Sequence, residues 1–321
     1  MNFLFLMDPL ETVAVSKDTS FIFMVGAHRR GHEVFYLPSG GISIDHGQPV
    51  FDVVSVVPDP ELGAAPAGPF QRGAARSLQV GEVDAIFIRS DPPFDQQYLM
   101  NTWLLDHVPA RVPVINSPAG VRTVNEKVWS VQFTELMPPT VITRSHRRFE
   151  DFRADQGRVI AKPTDGKGGE GVFLIDPGDK NAAVIFETLS HNGRREVMVQ
   201  AYLPQATEGD KRIILLDGEP IGALLRLHSK DDHRNNFFAG GKPLPVELNA
   251  RDLQIVAELK PHFKRLGLHF VGIDIIGDCL IEVNVTSPTC VQEINRLYDV
   301  RLEEQVVEYV ERLVEAQRVV T

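Results

Sequence analysis

From residue 162 the chain reads Lys162-Pro163-Thr164-Asp165-Gly166-Lys167-Gly168-Gly169-Glu170-Gly171, four glycines within six residues. Apolar runs flank it at 159–161 and 172–175. The pattern is strand, glycine loop, strand. Glycine tolerates φ > 0 and lets a backbone approach a ligand closely. Successive N–H groups on such a loop suit phosphate oxygens. Lys162, at the end of the entering strand, can aim an ammonium at the same oxygens. A P-loop is excluded, because that motif needs Gly-Lys-Ser/Thr opening a helix. A nucleotide held here would lie against a sheet. Taken alone, the same residues also describe an ordinary hairpin tip.

A second constellation lies near the C-terminus. Asp274 sits in the apolar run 271–276, and Glu282 and Asn284 sit in the run 280–285. Side chains alternate along a strand, so Glu282 and Asn284 share one face. Two carboxylates and an amide on apolar strands are costly to bury unpaired. A hard cation that takes oxygen ligands would pair with them, and Mg²⁺ on nucleotide phosphates is the common case. An antiparallel hairpin with one solvated face would show the same residues. The two readings differ over Asp274. It joins the face of Glu282 only if their numbers pair to an even sum. A two-residue turn at Gly277-Asp278 gives an odd one. The metal reading therefore predicts an odd-length connection or a β-bulge, with Gly277 at φ > 0.

Arg212 and Arg226 stand in apolar strand contexts, so each calls for an anion, and an arginine fork suits carboxylates and phosphates. Arg234 reads equally as an anion contact or a solvated loop charge, and Lys211 as a surface charge. His28-Arg29-Arg30 and His146-Arg147-Arg148 read as solvated helix-end charges. Cys279 and Cys290 lack metal-ligand spacing. Each reads as a packed residue, with no activating histidine near Cys290. There is no Gly-x-Ser-x-Gly and no Rossmann glycine fingerprint.

These residues must be positioned by a chain of 321 residues, enough for two or three units with real cores. The net charge of −10 argues against non-specific binding to nucleic acid or acidic membranes. Basic groups for an anionic substrate must then be concentrated at the site. Two cysteines point to a reducing cytoplasm. The N-terminus lacks a signal n-region, and no apolar run approaches a membrane span.

Apolar runs at 3–7, 32–37, 84–88 and 112–115 alternate with helical stretches at 21–30 and 96–107. That predicts a mostly parallel sheet covered on both faces. Asp8 and Arg89 fall at the carboxyl ends of its strands, where such sheets bind ligands. Residues 58–73 read as a flexible Pro/Ala/Gly excursion. A helix is predicted over 128–136. Strands at 140–143, 158–162, 172–175 and 197–201, with helices at 148–153 and 182–191, form a second unit. A third has a hairpin at 211–227 turning on Asp217-Gly218, a helix at 251–266 stopped by Gly267, strands at 270–276 and 280–285, and a terminal helix at 302–319. Residues 229–245 lack periodicity and read as a lid over the reacting groups. The class is α/β and α+β, in domains 1–122, 123–203 and 204–321.

Several blocks, in order, give the chain a wider likeness. It resembles the prokaryotic glutathione synthetases of the ATP-grasp superfamily over nearly its whole length. The blocks are Met7-Asp8-Pro9, Arg89 with Asp91-Pro92-Pro93-Phe94-Asp95, and Asn125-Glu126-Lys127. They continue with Lys162-Pro163, Asp165-Gly166 and Gly168-Gly169, then Gly209-Asp210-Lys211-Arg212 and Asp217-Gly218-Glu219-Pro220. They close with residues 270–278 and Glu282-Val283-Asn284-Val285-Thr286-Ser287-Pro288-Thr289-Cys290. The resemblance implies an ATP-grasp fold behind an N-terminal parallel α/β domain. It also implies ligation of γ-glutamylcysteine and glycine with ATP, giving glutathione, ADP and phosphate.

By the same resemblance Lys127, Lys162 and Asp210 contact ATP under the loop of Gly166, Gly168 and Gly169. Gln200, Ala201, Tyr202 and Leu203 frame the adenine. Asp274, Glu282 and Asn284 hold two Mg²⁺, with Mn²⁺ as an alternative. Arg212, with Lys162, serves the phosphoryl transfer. Arg89, Arg226, Arg234, Ser287 and Thr289 hold substrate carboxylates. A cytoplasmic homotetramer is implied as well. The likeness breaks at residues 230–238, where charged residues replace the family's glycine-rich Gly-Gly-Glu-x-Arg-Gly-Asn. Two other readings stand beside it: the same chemistry on another acceptor, and a non-catalytic nucleotide-binding protein of this fold.

Overall fold

The computed structural model describes residues 1–62, 69–166, 168–227 and 242–320. The strands β1 (Asn2–Met7), β2 (Glu33–Pro38), β3 (Ile42–Asp45), β4 (Gln48–Pro58), β5 (Phe70–Gln79), β6 (Ala85–Ile88) and β7 (Val114–Ile115) form one sheet. Helices α1 (Thr19–Arg29) and α2 (Gln96–Leu105) join some of them, and α3 (Pro118–Thr123) follows the last. β1, β2, β6 and β7 pair in parallel. β1 is buried from Phe3 to Met7, as expected of a central strand covered on both faces.

The expectation of a mostly parallel sheet needs correction. β3, β4 and β5 add an antiparallel extension beside β2. β5 begins inside the stretch read as an excursion, of which residues 63–68 lie outside the described residues. Its ten residues bury only Phe70 and Leu78. A strand exposed on both faces leaves no period-two signal.

The second sheet is antiparallel, in the order β10-β9-β11-β8. It consists of β8 (Thr140–Thr143), β9 (Val159–Pro163), β10 (Phe173–Ile175) and β11 (Val197–Ala201). Helices α4 (His146–Gln156) and α5 (Ala182–Leu189) cover it. Its core is small and separate: Phe149 stacks on Phe186 at 4.4 Å, above Val159, Ala161, Ile175, Val197 and Val199.

The helix predicted over 128–136 is instead one 3₁₀ turn at Trp129–Gln132. Asn125 Oδ1 accepts from the N–H groups of Lys127 (3.0 Å) and Val128 (2.9 Å), which favours a turn over helix propagation.

The third sheet comprises β12 (Asp210–Leu216), β13 (Glu219–Leu227), β14 (Lys242–Leu244), β15 (Phe270–Ile276) and β16 (Cys279–Asn284), in the order β14-β13-β12-β15-β16. Asp217 and Gly218 turn the first hairpin at φ 52° and 78°, both positive as a type I′ turn requires. Helix α6 (Ala250–Leu266) starts on an Asn249 capping box and stops at the left-handed Gly267. Helices α7 (Val291–Tyr298) and α8 (Leu302–Val320) close the chain. Of the segment read as a lid, 229–241 lies outside the described residues, and Lys242–Leu244 pairs with β13.

Sheets one and three share their cores. Asn116, just past β7, joins them. Its Nδ2 donates to Phe270 O and Val285 O (2.8 Å each), and its Oδ1 accepts from Phe270 N (2.7 Å). The N-terminal sheet is thereby tied to both ends of the β15–β16 hairpin.

Candidate active site

The β15–β16 hairpin settles the parity question. Ile276 pairs with Cys279 across a two-residue turn, with Gly277 at φ 55°. The register then shifts between Asp274 and Ile275. Beyond this bulge Asp274 stands opposite Glu282, and Gly272 opposite Asn284. The inserted residue restores the even sum, so Asp274, Glu282 and Asn284 share one face. That bulge was one of the two solutions the metal reading predicted.

Arg212 pairs across β12–β15 with Asp274, and Asp210 across β12–β13 with Arg226. All four are buried. Arg212 makes a two-pronged contact to Asp274, its Nη2 lying 2.8 Å from Oδ2. Arg226 grips Asp210 in the same manner and reaches Asp274 Oδ2 at 3.0 Å. Burial pushes the Asp274 carboxyl up, but the two guanidinium groups outweigh it and hold it below the usual range. For Asp210 burial prevails and its carboxyl is raised. Gly272 makes room for this network, since a Cβ there would lie 3.3 Å from Arg212 Cδ. Lys211, read as a surface charge, instead donates to the fully buried Asp252 at 2.5 Å. Alternation along β12 sends it to the opposite face from Arg212, against α6.

Lys127 Nζ donates to Glu282 Oε1 (2.8 Å) and to Gly166 O in the glycine loop (2.6 Å). Burial would lower its pKa, but the carboxylates of Glu282, Glu126 and Asp274 keep it raised. Lys162, on β9, is also buried, and desolvation pushes its ammonium down to about 8. If Lys162 meets the phosphates of ATP, as the resemblance implies, nucleotide binding should depend on pH. Phosphate oxygens favour the protonated amine. Affinity should be flat below about pH 8 and fall about tenfold per pH unit above it. Lys162→Arg, which stays charged, should flatten the profile. Dissociation constants for ATP across that range check this, and a wild-type profile without the break defeats it.

A cavity of about 300 Å³ runs between the second and third sheets. It is lined by Lys127, Lys162, Gly166, Gly168, Gly169, Gln200, Ala201, Tyr202, Leu203, Asp210, Arg212, Arg226, Asp274, Glu282, Asn284, Ser287 and Thr289. Nearly every residue singled out in the sequence converges there. Two do not. Arg234 lies outside the described residues. Arg89 is buried beside the cavity, donating to Ser20 Oγ and Pro288 O at 3.0 Å each. It lines a smaller hollow of about 70 Å³ with Asp18, Asp91 and Thr289.

Sequence reasoning gave Glu126 no role. The structure leaves it half-buried, with Oε1 accepting from Val285 N (3.0 Å), Thr286 N (3.2 Å) and Thr286 Oγ1 (2.8 Å), so it fixes the chain leaving β16. Its burial beside Glu282 raises its pKa. Only its place next to Lys127 hinted at this.

The residues present fit a hard cation. The described lining offers carboxylate and amide oxygens without histidine or cysteine. The carboxylates of Asp274 and Glu282 draw cationic partners, so their charge demands compensation. Among the described residues no three His, Cys, Asp or Glu side chains converge on one point. A cation here would therefore complete its shell with the Asn284 amide, phosphate oxygens and water.

Comparison with known proteins identifies the family. Residues 1–122 match the N-terminal domain of prokaryotic glutathione synthetase, and residues 126–299 match its ATP-grasp domain. The glutathione synthetase of Vibrio cholerae is 39% identical over 312 residues, covering 97% of both chains. That of Synechocystis is 41% identical over 318 residues, covering 97% of this chain and 99% of the relative. Among solved structures, the D-cycloserine synthetase DcsG superposes with a TM-score of 0.65 at 15% identity, covering 97% of this chain and 99% of that one. That likeness speaks to the fold alone. Among the described residues no helix is long and apolar enough to cross a membrane. With a cavity between two antiparallel sheets, the chain is an ATP-dependent ligase of the ATP-grasp fold and belongs to the prokaryotic glutathione synthetase family.

Proposed function

We propose that this chain joins γ-glutamylcysteine to glycine at the expense of ATP, giving glutathione, ADP and phosphate. The observation that carries the reading is one cavity shared by the glycine loop, two lysines, two arginines and an oxygen-only face. A carboxylate is a poor acyl donor, because its leaving group is effectively oxide. Phosphorylation turns it into an acyl phosphate that an amine can attack. Such chemistry asks for positioning and charge neutralisation rather than a nucleophile or triad.

In this reading Lys127, Lys162 and the loop of Gly166, Gly168 and Gly169 hold the nucleotide's phosphates, and Asp210 contacts the nucleotide beside them. Gln200, Ala201, Tyr202 and Leu203 frame the adenine. Asp274, Glu282 and Asn284 hold two Mg²⁺, which supply charge neutralisation to the phosphates when bound. Arg212 steadies the phosphoryl group in flight. Arg226, Ser287, Thr289 and Arg89 orient the substrates. The three separate sheets support domains ending near 122 and 203. Two free thiols suit a reducing cytoplasm, and family likeness favours a homotetramer.

Phosphate release with Mg·ATP, measured against a matrix of dipeptide donors and amino-acid acceptors, tests the proposal. The expected result is rapid release only with γ-glutamylcysteine and glycine together. Preference for another acceptor would make the chain a related carboxylate–amine ligase.

A further inference from the structure

Besides its charged groups, the wall of the cavity between the second and third sheets includes Pro138, Ile160, Val172, Leu203, Ile276 and Ile281. Apolar walls suit a flat heteroaromatic base, and a few placed polar groups then fix its orientation. Gln200 is such a group. It is 3% exposed and stands on β11, opposite Ile160 on one side and Thr140 on the other. Val197 and Val199 turn to the core with Phe149 and Phe186. Alternation along the strand therefore turns Gln200 the other way, into the cavity that it lines. Thr140, half-buried on β8, shares that face with Gln200 but does not line the cavity.

Counting hydrogens decides which end of the Gln200 amide faces the cavity. Thr140 has a single hydroxyl hydrogen, and it is donated to Pro138 O at 2.8 Å. The hydroxyl can therefore offer Gln200 only a lone pair. Gln200 meets it with its NH₂ group, Nε2 donating to Thr140 Oγ1 at 3.0 Å. The other end of the amide, Oε1, makes no hydrogen bond within the described residues. It is not among the polar atoms that are sealed from water without a partner, so it opens to the cavity as an acceptor.

We infer that Thr140 is a positioning residue for base selection: it locks the Gln200 amide with its oxygen toward the cavity, so that the site accepts a hydrogen bond from the 6-amino group of adenine and refuses a 6-oxo purine. The inference rests on the ligase reading above, since it takes the base of ATP to lie in this cavity. A 6-oxo group would bring its own lone pairs against Oε1. The amide cannot simply turn round to donate to it. A turned amide would set its oxygen against the Thr140 lone pair, unless the hydroxyl gave up Pro138 O. A polar group preset in this way rejects the wrong partner by leaving buried acceptors unpaired.

The test measures dissociation constants of Mg·ATP and of Mg·inosine triphosphate, which carries oxygen in place of the 6-amino group, for the wild-type chain, Thr140→Val and Thr140→Ser. Nucleotide affinity does not depend on which amine the chain ligates. The wild-type chain should favour ATP by about 100-fold. Thr140→Val keeps the shape and removes the hydroxyl, which frees the amide to turn Nε2 toward a 6-oxo group. The preference should fall to about tenfold or less, with the inosine nucleotide bound more tightly than by wild type. Thr140→Ser keeps the hydroxyl and should keep the wild-type ratio. A merely structural role for Thr140 would weaken both nucleotides together and leave the ratio unchanged, and that result overturns the inference. So does a wild-type chain that binds both nucleotides equally. If Thr140→Val does not fold, Thr140→Ala, which also lacks the hydroxyl, is judged by the same ratio. A wild-type chain that binds neither nucleotide sinks the ligase reading itself, which separates the two failures.

Discussion

Glu282→Gln is expected to lower turnover by about 10³-fold, roughly 4 kcal/mol of transition-state stabilisation, while the protein stays folded. Gln keeps the volume and one oxygen but removes the charge from the face shared with Asp274 and Asn284. The fold should tolerate this. Glu282 is half-buried and pairs with Lys127, which also holds Gly166 O. A Gln oxygen can still accept from Lys127, so the stability cost should stay near 1 kcal/mol. Turnover should suffer because phosphoryl transfer places negative charge where this face supplies compensation. Thermal melting, Mn²⁺ affinity in the presence of ATP, and kcat separate the two effects. Melting should barely move, Mn²⁺ affinity should weaken and kcat should collapse. A variant that unfolds, with activity per folded molecule unchanged, would falsify the assignment of this face to a cation.

The reasons why some of this was legible in the sequence lie in particular residues. The β15–β16 face could be reasoned out because strand alternation is rigid: once Asp274 and Glu282 had to share a face, parity required an irregularity, and the structure places a bulge there. The β12–β13 hairpin was legible because Asp-Gly suits the two positive φ angles of its turn. The antiparallel extension was hidden because β5 is exposed along most of its length. Helix α7 was hidden by its entrance. It follows Pro288-Thr289 and starts from Cys290 at φ 92°, without the side-chain cap that normally announces a helix. Glu126 and Asn116 were hidden for another reason. Their work is to accept from and donate to backbone more than 150 positions away, and no local pattern encodes such a partner.

Arg212→Met is the sharper test of how structure and chemistry share residues. Asp210, Asp274, Arg212 and Arg226 form a buried set with two charges of each sign. Removing one guanidinium leaves two carboxylates with a single cation, and breaking a buried pair in this way costs about 3–5 kcal/mol. Melting temperature should therefore fall, unlike in Glu282→Gln. The acid side of the stability profile should move too. The folded-state carboxyl of Asp274 is depressed, so it stabilises the fold above the ordinary carboxylate range, and that contribution is lost as pH falls toward its folded-state value. Without Arg212 the depression shrinks, stabilisation at neutral pH shrinks with it, and the acid-unfolding midpoint should shift to higher pH. Turnover should drop independently, by about 10³-fold, the usual worth of an arginine that neutralises a phosphoryl group in flight. The two losses are separable, because kcat measured well below the lowered melting temperature counts only folded molecules. Arg212→Lys should recover part of the stability by restoring the charge, and little of the turnover, since an ammonium cannot reproduce the two-pronged grip on Asp274. If Lys restores turnover as fully as stability, or if kcat per folded Arg212→Met molecule equals wild type, Arg212 is a structural counter-ion to Asp274 and takes no part in phosphoryl transfer.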